Sequence, residues 1–76
     1  MNNLYEKLIN SRITILDEMN TIIRETLNKD SYYLKLWQSE CFPENANNEL
    51  FEDFAKDNEI FKDCVNTFNF IISKIF

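Results

Sequence analysis

The 76-residue chain contains no histidine and no glycine, and its one proline is Pro43. Histidine is the commonest metal ligand and the side chain best matched to proton transfer near neutrality. Its absence argues against a metal centre and against His-based catalysis. A Glu-x-x-His di-metal site cannot be built, and neither cysteine has an imidazole to activate it as a nucleophile. Without glycine, the backbone loops that cradle phosphates in P-loop and dinucleotide-binding proteins are also excluded. The thirteen carboxylates leave an acid–base pair conceivable, yet no spacing singles out two of them. The chain therefore reads as non-enzymatic, with no cofactor and no metal expected.

Cysteine is scarce as well. Cys41 and Cys64 stand far apart, in apolar-periodic surroundings and without CxxC spacing. Both read as reduced core residues, since a free cysteine packs as a small hydrophobe; a single Cys41–Cys64 bridge is the alternative for an exported chain. The opening stretch MNNLYEKLINSR has no basic segment followed by an apolar run, so a cytoplasmic setting is the expectation. No apolar run approaches the roughly 20 residues of a membrane span. The longest candidate, FNFIISKIF, is interrupted by Asn69 and Lys74.

Basic charge is also in short supply. Eight lysines and arginines face thirteen carboxylates, for a formal charge of −5. The imbalance is local, because the first 39 residues carry five charges of each sign. From residue 40 to 63, Glu40, Glu44, Glu49, Glu52, Asp53, Asp57, Glu59 and Asp63 oppose only Lys56 and Lys62. Direct nucleic-acid binding is disfavoured, because phosphate contacts require a basic footprint. The acidity instead favours a basic protein partner.

What the chain does have is helical periodicity. Leu4, Tyr5, Leu8, Ile9, Ile15, Leu16, Met19, Ile22, Ile23 and Leu27 recur at three- and four-residue steps, predicting an amphipathic helix over about 3–28. A short second helix begins after NKD, where Asp30 or Ser31 is positioned as N-cap. Tyr32, Tyr33, Leu36, Trp37 and Cys41 mark its apolar side, and Pro43 stops it near Phe42. A third begins in PENANNE, with Asn45 or Asn47 as cap. Leu50, Phe51, Phe54, Phe61, Cys64, Val65, Phe68, Ile72 and Ile75 carry it to the end of the chain. The expected fold is all-α: one domain over 1–76, a small three-helix bundle with long first and third helices and a short second one. At 1.5 Å per residue their lengths would be about 40, 18 and 45 Å. A chain this short buries only about 60% of its unfolded surface, so its core needs reinforcement.

Three groups of residues break or extend this pattern. Arg12 and Asp57 fall within the apolar stripes of the first and third helices, at comparable distances from their starts. A charge there must be paired or reach outward, so the expectation is a buried Arg12–Asp57 ion pair, with Asp53 as the alternative acceptor. Glu49, Glu52, Glu59 and Asp63 form an acidic row with Phe70 beside it, a face suited to docking on a basic protein. The end of the third helix, with Phe68, Ile72, Ile75 and Phe76, lies beyond the reach of the short second helix and is a candidate for self-association. Two functional expectations follow. The first is a small acidic protein that binds and modulates or inhibits another protein, such as the basic nucleic-acid-acting target of an antitoxin, immunity or phage-type inhibitor. The alternative is a self-associating helical scaffold or assembly subunit, a homodimer in its simplest form.

Overall fold

A computed structural model describes residues 3–76. Among these residues it is all-helical, with four helices: α1 (Asn3–Thr26), α2 (Tyr32–Glu40), α3 (Asn48–Lys56) and α4 (Asn58–Ile75). The chain makes its turns without a cis peptide or a positive φ at any described residue. The chain thus turns without the left-handed region, which glycine would enter most readily.

α2 and α3 each start on a short polar cap. Ser31 Oγ accepts from the Tyr33 amide at 3.2 Å, and Asn47 Oδ1 accepts from the Leu50 amide at 3.1 Å. These caps satisfy amides that have no partner within their own helix. α2 ends without a left-handed residue: both the Cys41 and Phe42 amides donate to the Trp37 carbonyl, at 2.8 and 3.2 Å.

The fourth helix arises because the expected third one is broken. Asp57 takes an extended conformation, φ −107° and ψ 112°, and serves at once as C-cap of α3 and N-cap of α4. Its amide closes α3 on the Phe54 carbonyl at 3.3 Å, and its carboxylate accepts from the Ile60 amide at 3.1 Å. The expected buried Arg12–Asp57 ion pair is therefore replaced by a different arrangement. Asp57 is exposed and spends its carboxylate on the new helix. Arg12 Nη1 donates to the Ala55 carbonyl at 3.0 Å and to Asn58 Oδ1 at 2.7 Å, and its guanidinium carbon lies 4.9 Å from the centre of the Phe61 ring. The cation thus sits at the negative end of α3 and bridges the two sides of the break.

With the helix broken, α3 and α4 can both lie against α1, and α3 packs on it most extensively. The core consists of Ile9, Leu16, Met19 and Ile23 from α1, Leu34 and Trp37 from α2, Cys41 and Phe42 after it, Phe51 and Ala55 from α3, and Cys64 and Ile71 from α4. Trp37 is wholly buried, so its indole N–H needs an acceptor. Asn20 Oδ1 supplies one at 2.9 Å and also accepts from Arg24 Nε at 3.1 Å. Arg24 Nη2 then donates to the Phe42 carbonyl at 3.0 Å. Phe42, held extended before Pro43, turns its ring inward to meet Phe51 and Phe54 at centroid distances of 4.8 and 4.7 Å.

Replacing Arg12 with methionine keeps the apolar stem but removes two hydrogen bonds and the ring contact. The expected loss is about 2 kcal/mol, seen as a lower urea midpoint at unchanged slope. An unaltered midpoint would mean that Arg12 does not brace the break.

Candidate functional site

Two surfaces remain for function once the core is assigned. The first is the outer face of α4. Glu59, Asp63, Asn66 and Phe70 follow one another at steps of four, three and four, so they form a single strip, and all four are exposed. Neither Glu59 nor Asp63 makes an ion pair; among the described residues the carboxylate so engaged is Glu52, 3.8 Å from Lys56. Phe70, 47% exposed, meets the edge of Tyr33 at 6.3 Å, and Tyr33 in turn meets Tyr32 at 5.3 Å. Tyr32 is 69% exposed, and Lys74 Nζ stands 5.5 Å from the Phe70 centroid. The strip therefore starts in unpaired carboxylates and ends in an aromatic group shared with α2.

The expected acidic row is not carried by one helix. Glu49 and Glu52 belong to α3 and, with Ile13 and Asn48, line a shallow groove of about 300 Å³. Glu59 and Asp63 belong to α4. A wheel drawn through residues 49 to 63 assumes a continuous helix, and Asp57 interrupts it. Glu49 and Glu59 each lie in the first turn of their own helix, where a negative charge favours the local dipole.

The second surface is on α1. Ile9, Leu16, Met19 and Ile23 face the core, whereas Leu4 (79% exposed), Leu8 (47%), Ile15 (41%) and Ile22 (43%) do not. The apolar stripe is wider than its neighbours can cover. The end of α4 is more fully used than that of α1. Phe68 meets the Trp37 ring at 6.2 Å, Phe68, Ile72 and Ile75 pack partly against the core, and Ile71 is completely buried. Phe76 alone of the self-association candidates is largely exposed, at 82%.

Elsewhere, grooves of about 330 and 370 Å³ are lined by Arg24, Lys29, Gln38 and Glu44 with Leu27 and Leu34, and by Tyr5, Glu6, Ile9, Asn10, Glu52 and Lys56. The described residues include no group of three or more His, Cys, Asp or Glu side chains placed to hold a metal. No helix among them is long and apolar enough to cross a membrane. No protein-family model, curated protein or solved structure matches the chain.

Cys41 and Cys64 are free and buried. Their side chains hydrogen-bond to each other. That bond, reinforced by burial, pushes the Cys41 thiol far above its ordinary value, whereas the bond accepted from Cys41 draws Cys64 down against the opposing effect of burial. Burial should also shield both sulfurs from reagents. Ellman's reagent is therefore expected to leave both thiols unreacted in the folded protein and to titrate both in urea. Immediate reaction of either in the native state would contradict this packing.

Proposed function

We propose that this chain is a small binding protein that modulates or inhibits a basic protein partner by covering part of its surface. The observation that carries the reading is the α4 strip, in which two unpaired carboxylates, Glu59 and Asp63, share a helix face with the exposed ring of Phe70. Carboxylates steer a basic partner toward the strip and set its register, while an aromatic side chain supplies the area that is desolvated on contact. Tyr32 and Tyr33 enlarge that area, and all three rings offer faces to an arginine or lysine side chain. The chain's charge of −5 adds long-range attraction to the same class of partner.

A nucleic-acid-acting protein fits this description, since its own binding surface must be basic. Occlusion would need no chemistry from the acidic protein. A specific observation also favours self-association: α1 carries a strip of hydrophobes, Leu4, Leu8, Ile15 and Ile22, that the other helices leave exposed.

The test uses an arginine-rich helical peptide as the probe, followed by amide chemical shifts of the full chain. Perturbations are expected to concentrate at Tyr32, Tyr33, Asp63, Asn66 and Phe70 and to weaken as salt rises. Phe70→Ala combined with Asp63→Lys should reduce affinity by at least about tenfold, equivalent to about 1.4 kcal/mol. Shifts confined to α3, or an affinity indifferent to both substitutions, would sink the reading.

A further inference from the structure

The exposed strip of α1 is ordered as well as apolar. Leu8, Ile15 and Ile22 are spaced by seven residues, and Leu4 extends the strip one turn toward the N-terminus. Over its length from Leu4 to Ile22 the strip runs about 27 Å. A seven-residue repeat is the spacing that lets one helix stay in contact with another along a shared seam. Leu8 and Ile22 are also equidistant from Ile15, so these three residues are symmetric about Ile15.

The charges beside the strip select the partner and its direction. Residues 1–39 carry five charges of each sign, so a second copy can approach α1 without stacking the carboxylates that crowd residues 40–63. Lys7 and Glu25 are both exposed and make no ion pair among the described residues. They are eighteen residues apart, which is five whole helical turns, so they lie on the same edge of the strip. In an antiparallel pairing centred on Ile15, Lys7 of each copy comes within about 3 Å, along the axis, of the level of the partner's Glu25. A parallel pairing in register would instead leave Lys7 of each copy about 27 Å, along the axis, from the partner's Glu25.

We infer that α1 forms a symmetric antiparallel dimer with α1 of a second copy, through Leu4, Leu8, Ile15 and Ile22, with Lys7 facing the partner's Glu25 twice. Ile15 packs on the partner's Ile15 at the axis, and Leu8 packs on the partner's Ile22. The strip is one helix wide, which places the contact among the smaller specific interfaces. This inference is independent of the α4 strip, which remains free on both copies.

Sedimentation velocity of the full chain across a concentration series tests the arrangement, with circular dichroism confirming equal helix content in every variant. The wild type should pass from monomer to dimer. Ile15→Glu, which sets two carboxylates against each other at the axis, should raise the dissociation constant at least about tenfold. Lys7→Glu should weaken the dimer, and the double variant Lys7→Glu/Glu25→Lys should restore it, while Phe76→Glu should have no effect. A monomer at all concentrations would overturn the inference. So would a dimer sensitive to Phe76→Glu but not to Ile15→Glu, which would move the contact to the end of α4. Failure of the charge swap to restore association would overturn the antiparallel direction.

Discussion

The placement of one guanidinium governs the rest of this molecule. Arg12 projects from a stripe otherwise made of hydrophobes and meets the Ala55 carbonyl, the Asn58 side chain and the Phe61 ring where one helix stops and another begins. A cation at that point stabilises the negative end of α3 and occupies an acceptor that the break leaves without a helical partner. Asp57 completes the joint from the other side by capping α4. A continuous helix from Asn48 to Ile75 would be one rod of about 42 Å; broken at Asp57, its two parts pack on α1 as separate helices. The 45 × 23 × 18 Å shape of the chain reflects α1 as the spine on which the others are laid.

The joint also decides which residues can act together. By dividing the acidic segment, it leaves Glu49 and Glu52 with α3 and gives Glu59 and Asp63 to the helix that carries Phe70. The aromatic end of that helix is tied to α2 through Tyr33. α2 is itself anchored by Trp37 on Asn20. Thus a half-buried amide on α1 helps set the position of an exposed ring on α4.

Much of this was legible in the sequence. The all-helical class, the first two helices to within about two residues at their ends, Ser31 and Asn47 as one of two cap candidates each, and the break at Pro43 follow from periodicity and local chemistry. The joint is not legible in the period alone, because Asp57 stands where that period places an apolar residue and so reads as a charge within a helix. Lys56, Asp57 and Glu59 together are the signature of a helix end followed by a helix start, and that was the signal available. Leu34, Phe42 and Ile71 were missed as core residues for a different reason: which flank of a wide apolar stripe is buried depends on tertiary packing, which periodicity does not encode. The same ambiguity hid the exposed strip of α1 among its buried neighbours. Asn20 gave no sign at all, since a lone asparagine in a helix is ordinarily solvated and only the position of Trp37 gives it a role.

The account rests on the break at Asp57, and backbone chemical shifts in solution report it most directly. The Cα and Cβ shifts of Asp57 should be of extended type between two helical runs, with the Ile60 amide protected by its carboxylate cap. Uninterrupted helical shifts from residue 48 to 75 would contradict the joint, the role given to Arg12 and the division of the acidic surface that follows from it.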